Sequence, residues 1–291
     1  MKDLERILEL ARFVGWGATD RLRSYYQSSG DKLEVEYKQN EPVTIADINV
    51  NHYILENLQA ALGHEDFGYI SEETYEAEQA KHEWAWIIDP LDGTRDFIER
   101  TGEYAIHLAL VQQTRPVLSV VAVPEAEKLY YAIKGGGAFV ETRDGKRLPL
   151  QVSSRERIED LTLVVSRSHR NQRLNYLLQH LPCQNQKAVG SVGGKIAAIV
   201  EQRADIYISL SGKSAPKDWD MAAPELILTE AGGKFTHFDG TPLQYNTGDV
   251  NQWGGLLASN GQYHEVLCQE AERILQAWEE MKNLGDGEKR E

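Results

Sequence analysis

Cysteine is nearly absent from this sequence. Of 291 residues only Cys183 and Cys268 carry a thiol. They lie far apart and beside no ligand-spaced partner, so neither a disulfide framework nor a zinc site is expected. Positive charge is also in short supply: 31 Lys and Arg stand against 45 Asp and Glu, a formal net charge of −14. That balance argues against non-specific binding to nucleic acid or an anionic membrane. It leaves room for an anionic substrate held by metals or by a few basic side chains. Long apolar runs are missing. The opening "MKDLERILELARFVGWGATDRLRSYY" is charged throughout and has no signal-peptide core. No run has the length and apolarity to span a bilayer, and the expected location is the cytoplasm. There is no internal repeat or low-complexity tract, and the closing "LGDGEKRE" reads as a short frayed tail.

What is present reads as a globular chain, 41% hydrophobic and 26% charged, long enough for one large domain or two medium ones. Leu4, Ile7, Leu8, Ala11 and Val14 recur at helical spacing. "KLEVEYKQNEPVT" reads as a short strand and turn. In "ADINVNHYILENLQAAL" a second helix carries Ile48, Ile54, Leu55, Leu58 and Leu62, with Asp47 in its first turn, where a carboxylate is favoured. "YISEE" is a strand ending in two glutamates, and "WAWIIDP" is a continuous apolar strand. "YAIHLALVQ", "PVLSVVAVP", "KLYYAIKGGGAFVE" and "KRLPLQVS" suggest an antiparallel meander, with "KGGGAF" as a turn rather than a nucleotide loop. From about Leu161 strands alternate with helices: "LTLVVS", "RNQRLNYLLQHL", "KIAAIVEQRA", "DIYISL", "WDMAAPELILTEAGG", "KFTHF". The expected class is therefore α/β (α+β) layering. A soft boundary near 150–160 divides residues 1–155, which carry most of the notable acids, from residues 156–291.

Those acids are Asp47 in "PVTIAD", Glu72 and Glu73 in "SEE", Asp89 and Asp92 in "DPLDGT", and Asp220 in "WDMAAP". Most sit at a strand end or helix start. A single loop Asp is most often a solvated turn residue; the group as a whole suggests more. Mg²⁺ takes oxygen ligands, usually a few carboxylates plus water and substrate phosphate. In "DPLDGT" the proline fixes the turn, so that two carboxylates and the Leu91 carbonyl could face one space. Gly93 and Thr94 follow, where backbone N–H groups at a helix start could receive phosphate. The chemistry these residues suggest is metal-assisted phosphoester hydrolysis.

"DPLDGTRDF" and "WDMAAPELILTEAGG" resemble the two signature motifs of the inositol monophosphatase superfamily, the Mg²⁺-dependent, lithium-sensitive phosphatases. "PVTIAD" and "SEE" resemble its two upstream motifs, and all four occur in order over nearly the whole chain. The resemblance implies a layered α-β-α-β-α sandwich. It implies a phosphoric monoester hydrolase using two or three Mg²⁺ ions, with Glu72, Asp89 and the Leu91 carbonyl holding one ion and Asp89, Asp92 and Asp220 a second. Thr94 and Asp47 would orient and deprotonate the attacking water, Thr44 would support Asp47, and Glu73 would stand behind the ligands. Two departures stand out: Ser71 where the family usually has glycine, and Arg95-Asp96 in place of a commoner Thr/Lys-Asn.

"SRSH" and "GSVGGK" resemble the nucleotide-binding segments of the 3'(2'),5'-bisphosphate nucleotidase branch, the matching positions being Ser166, His169, Ser191 and Lys195. With Gly93, Thr94 and Asp220 they make the implied substrate set. The stretch from Ile206 to Lys217 holds no carboxylate to grip sugar hydroxyls, as inositol monophosphatases do. Arg167, His169, Arg170 and Lys195 could meet a second phosphate. His169 equally reads as a helix cap, Lys213 and Lys217 as surface loop residues, and Trp219 as a packing neighbour of Asp220. The implied activity is removal of the 3'-phosphate from 3'-phosphoadenosine 5'-phosphate by a metal-activated water. AMP would be the product, 3'-phosphoadenosine 5'-phosphosulfate a second substrate, and clearance of a by-product of sulfate assimilation the role. The alternatives are inositol monophosphatase or fructose-1,6-bisphosphatase activity on the same metal core, or a non-catalytic regulator. The sequence leaves open whether the chain is a monomer or a homodimer.

Overall fold

The apolar stripe at the start of the chain forms one side of helix α1 (Leu4–Gln27), where Ile7, Leu8, Ala11, Val14, Ala18 and Leu22 are buried. Asp3 caps it by accepting from the Arg6 amide. The computed structural model describes residues 2–28, 35–38, 41–63, 65–76, 81–167, 170–183 and 185–287. A hairpin of β1 (Val35–Lys38) and β2 (Glu41–Thr44) leads into α2 (Ile45–Leu62). The buried stripe of α2 runs Ala46, Val50, Ile54, Leu58. Ile54 and Leu58 of the expected stripe lie on it, and Leu55 and Leu62 pack half-buried against the same core.

Both helices cover one face of a seven-stranded sheet ordered β3 (Gly68–Ser71), β4 (Trp84–Asp92), β5 (Ala105–Gln112), β6 (Arg115–Val123), β7 (Lys128–Ile133), β8 (Gly137–Thr142) and β9 (Arg147–Leu150). β3 runs parallel to β4, and every later pair is antiparallel, which is the expected meander. β4 is apolar without alternation because both its faces are covered. Trp86 and Ile88 pack under α1 and α2, whereas Ile87 packs in the core on the other side. "KGGGAF" forms the β7–β8 turn, and its Gly135 and Gly137 amides donate to Glu230.

The second sheet is ordered β11 (Asn185–Val189), β10 (Thr162–Ser166), β12 (Ile206–Leu210), β14 (Gly255–Ser259) and β13 (Lys234–His237). Helices α5 (Val192–Val200) and α6 (Asp218–Glu230) lie between the sheets. Helices α4 (Gln172–His180) and α7 (His264–Gly287) cover the outer face, over a core that includes both free cysteines. The layers are therefore α-β-α-β-α. The middle core draws Ala109 and Val121 from the first sheet, Ile196 and Leu226 from the helices, and Tyr207 and Ala258 from the second sheet. Among the described residues no helix is long and apolar enough to cross a membrane.

Candidate active site

In a regular strand, side chains three residues apart point to opposite faces. Asp89 and Asp92 escape that rule. Asp89 pairs with His107 and Asp92 with Ala105, so three steps along β4 meet two along β5. The extra residue is a β-bulge, and it turns both carboxylates to the face that meets α5 and α6. His107 reports the result: its Nε2 is 3.1 Å from Asp92 Oδ2 and its Nδ1 is 4.0 Å from Asp89 Oδ2. Within the turn the Leu91 amide donates to Asp89 Oδ1 at 2.9 Å.

The parallel pairing of β3 with β4 brings the next acids alongside. Glu72 and Glu73 begin the 3-10 turn Glu72–Thr74 directly after β3. Asp220 stands in the first turn of α6, its Oδ2 accepting from the Lys217 amide at 2.6 Å. Burial, then the charges of Asp220, Glu73 and Asp47, raise the Glu72 carboxyl well above the usual carboxylate range. Burial, then Glu72, Asp92 and Asp220, do the same to Asp89. The Glu72 charge is among those that raise Asp89, a repulsion that a proton held by one of the two relieves. A cation can take that proton's place. Among the described residues no three acidic, His or Cys side chains already close into a ligand cage. What fits Mg²⁺ here is the donor set, crowded carboxylate oxygens with a strained charge balance.

Asp92 is held differently. Burial pushes it up, but His107, Lys195 and the Gly193 amide, which donates to Oδ2 at 2.8 Å, outweigh burial and bring it below the usual value. Lys195 is itself buried on α5. Its Nζ donates to the Gly190 carbonyl at 2.8 Å and lies 5.3 Å from the centre of the Tyr207 ring. Burial lowers its pKa to about 8, against the pull of Asp92, Asp96, Asp220 and Glu103. The departures from the family pattern have local partners. Asp96 accepts from Thr101 Oγ1 at 2.8 Å and lies 3.4 Å from Arg167 Nε. The Ser71 hydroxyl donates to Asn51 Oδ1 at 2.6 Å, tying β3 to α2.

Asp47 and Thr94 meet where the start of α2 packs beside the end of β4. The Thr44 amide (2.8 Å) and hydroxyl (2.6 Å) both donate to Asp47 Oδ2, closing a capping box at the start of α2. Oδ1 is 3.1 Å from Thr94 Oγ1, which is also 3.1 Å from the Leu91 carbonyl. Burial raises Asp47 to about 6, against the hydrogen bonds from Thr44 and Thr94.

The other sequence-derived positions distribute as follows. Gly93 takes the left-handed conformation, φ 87°, and opens helix α3 (Thr94–Ile98). Ser191 caps α5, accepting from the Gly194 amide at 3.0 Å. Ser166 ends β10. His169 lies outside the described residues. Arg167 pairs with Glu103 at 2.5 Å, and the Arg170 Nε donates to Asn175. Lys213 is exposed, and Lys217 donates to Asn251. Trp219 is buried against Tyr75.

Two residues at the site escape the sequence reading. His107 is the lone ionisable group in an otherwise apolar strand, and that interruption is the available signal. Glu103 accepts from both Arg167 and the Gly190 amide, and nothing in its sequence context marks it. Gly190 has no room for a side chain, since a Cβ there would lie 2.3 Å from Asp96 Cγ. Gly190→Ala is expected to destabilise the fold by about 1–3 kcal/mol, read as a lower urea midpoint at unchanged m-value.

Known proteins resemble this chain over most of its length. The inositol monophosphatase family matches residues 3–276. The 3'(2'),5'-bisphosphate nucleotidase CysQ of Salmonella typhimurium is 34% identical over 244 residues, covering 83% of this chain and 93% of that protein. Its namesake from Aggregatibacter actinomycetemcomitans is 32% identical over 247 residues, covering 84% and 87%. Among solved structures, the extragenic suppressor protein SuhB from Bartonella henselae is 25% identical with a TM-score of 0.78, covering 91% of this chain and 98% of that one. The crystal structure of CysQ from Bacteroides thetaiotaomicron, 27% identical, has a TM-score of 0.71 and covers 88% and 98%. The chain belongs to the inositol monophosphatase family and is a phosphoric monoester hydrolase.

Proposed function

We propose that this chain removes the 3'-phosphate of 3'-phosphoadenosine 5'-phosphate, yielding AMP, and also accepts 3'-phosphoadenosine 5'-phosphosulfate. The observation that supports the reaction class is the crowding of Glu72, Asp89, Asp92 and Asp220 beside the Thr94–Asp47 pair. The nucleotide substrate draws its support from likeness to the bisphosphate nucleotidases. Glu72, Asp89, the Leu91 carbonyl, Asp92 and Asp220 would hold two or three Mg²⁺ ions. Bound there, Mg²⁺ supplies a Lewis acid for the phosphoryl oxygens and lowers the pKa of a water.

The protein's own groups supply the proton path. The Thr94 hydroxyl carries one hydrogen and faces two acceptors, Asp47 Oδ1 and the Leu91 carbonyl. Donating to Asp47 leaves its lone pairs free to accept from a water on the other side. Thr44 occupies Oδ2 and so keeps Oδ1 turned to Thr94. The first turns of α2, α5 and α6 all contribute to the site through Asp47, Gly193 and Asp220. Their positive ends favour an incoming phosphate dianion. Gly93, Ser166, His169, Ser191 and Lys195 are the residues to test for nucleotide affinity.

Side-by-side turnover of 3'-phosphoadenosine 5'-phosphate, inositol 1-phosphate and fructose 1,6-bisphosphate tests the substrate; preference for either of the last two overturns it. Asp92→Asn is expected to lower Mg²⁺-dependent phosphate release on the order of 10²–10³-fold. An unaffected variant would sink the metal reading.

A further inference from the structure

We propose that Glu103 is a positioning residue for the nucleotide: it clips the end of β10 and the start of α5 to the turn at Gly93, at the spacing the bound substrate needs. The inference rests on the nucleotide reading above and deepens it with a residue outside the metal donors and the proton path.

Glu103 lies half-buried in the loop between α3 and β5. Its two acceptor groups serve three donors from two other segments. The backbone carbonyl accepts from the Ser191 amide at 3.1 Å. The carboxylate oxygen Oε2 accepts from the Gly190 amide at 2.8 Å and from Arg167 Nη2 at 2.5 Å. Strand pairing shows why a clip falls at this place. β10 and β11 run parallel, and their ladder stops at Ser166 and Val189. The next residues along the two strands are Arg167 and Gly190, and Glu103 joins them where the ladder has ended. A bond from guanidinium to carboxylate is roughly twice as strong as a neutral one. Buried Asp96 stands 3.4 Å from Nε of the same guanidinium and holds its other edge.

The clip also reaches the turn beside the acids. A Cβ on Gly93 would lie 3.1 Å from the Glu103 carbonyl oxygen and 3.4 Å from Ser191 Cβ. Gly93, Glu103 and Ser191 are thus packed against one another. The Gly190 peptide is fixed on both sides, its N–H by Glu103 and its carbonyl by Lys195 Nζ at 2.8 Å. Ser166, Ser191 and Lys195 therefore belong to segments whose relative placement passes through one glutamate. The reacting end of the site has separate supports: the Leu91 amide for Asp89 and Thr44 for Asp47. Ile196 and Ile199 anchor α5 in the middle core, which leaves the Gly193 bond to Asp92 standing.

A rival account makes Glu103 a brace for the fold alone. A brace whose loss loosens the site would lower kcat and weaken cation binding along with substrate binding. Loss of a positioning residue raises KM for the nucleotide and spares kcat, since the groups at the reacting phosphate keep their places.

The test is steady-state hydrolysis of 3'-phosphoadenosine 5'-phosphate with Mg²⁺, by the full chain and its Glu103→Ala and Glu103→Gln variants. Mn²⁺ affinity of the substrate-free proteins is measured beside it by electron paramagnetic resonance. The expected result for E103A is a KM at least ~10-fold higher, with kcat and Mn²⁺ affinity within about threefold of wild type. Glutamine offers a carbonyl oxygen at the place of Oε2, so E103Q should recover most of the rise. An unchanged KM, a fall in kcat or Mn²⁺ affinity as large as the rise in KM, or a glutamine variant no better than alanine overturns the proposal. Should melting show that E103A does not fold, Arg167→Met cuts the same clip from its exposed end. A KM within about threefold of wild type in R167M then overturns the proposal. A wild type that binds Mn²⁺ and leaves the nucleotide intact overturns the nucleotide reading itself. That failure is separable from an active wild type whose variants change in the wrong parameter.

Discussion

Asp89→Asn is expected to raise the stability of the metal-free protein while removing its activity. Asn keeps the shape of Asp89 and the carbonyl oxygen that the Leu91 amide bonds, so the turn survives. It removes a buried charge crowded by Glu72, Asp92 and Asp220. The sign follows from linkage. The folded-state pKa lies above the unfolded one, so the folded protein holds the proton more tightly. Without metal, stability falls as pH rises from the ordinary carboxylate range through the raised value. At neutral pH, above the unfolded value, the group is therefore a net cost to the fold. Relief on the order of 1 kcal/mol moves Tm by about 2–4 °C in a protein of this size. In EDTA the variant should therefore melt above wild type. With Mg²⁺ the wild type gains stability by binding and the variant does not, so the order narrows or reverses. Turnover should fall on the order of 10³-fold. A variant that melts lower in EDTA and still responds to Mg²⁺ like wild type contradicts both parts.

Thr94→Ala should lower kcat by about 10²–10⁴-fold, the span of a lost proton-transfer partner, while Mn²⁺ affinity stays near wild type. The hydroxyl links Asp47 to the Leu91 carbonyl, and nothing else in the alanine variant carries that hydrogen. Thr94→Ser restores the hydroxyl and should restore most of the rate. The same path sets a pH limit. Asp47, raised to about 6 by burial, accepts a proton only when ionised, so kcat falls as pH drops through its pKa. Cations nearby pull that value down, which puts the acid limb at or below about pH 6. A limb above pH 7, or a serine variant no better than alanine, counts against Asp47 and Thr94 as the pair.

Much of the fold was legible because its elements carry local signals. The two leading helices, the meander and the α/β rhythm after Leu161 all announce themselves through periodicity and turn residues. The elements passed over differ in kind. β11, "NQKAV", is polar and sits at a sheet edge, so burial leaves little imprint on it. β14, "GLLAS", and α7, with Leu267, Ala271, Ile274 and Leu275 buried, carry readable patterns but no chemistry that draws attention. The family resemblance picks out the acids. The bulge that aligns Asp89 with Asp92 and the histidine that faces them are products of strand pairing, which no local window of sequence contains. Lys195 illustrates the same limit. Its helix-start position suggests an anion nearby, and its burial among Asp92, Asp96, Asp220 and Glu103 depends on three other segments.

The bulge in β4 also governs which changes of length the chain can survive. Because side-chain direction alternates at every step, one residue inserted or deleted between Trp84 and Asp89 would turn Asp89 toward α1 and α2 or push the mismatch into the hydrogen-bonded ladder with β5. The segment can exchange one apolar residue for another at many positions, yet its count of residues is fixed. Variation here should come as substitution, and gaps should collect in the turns that follow β5 through β8.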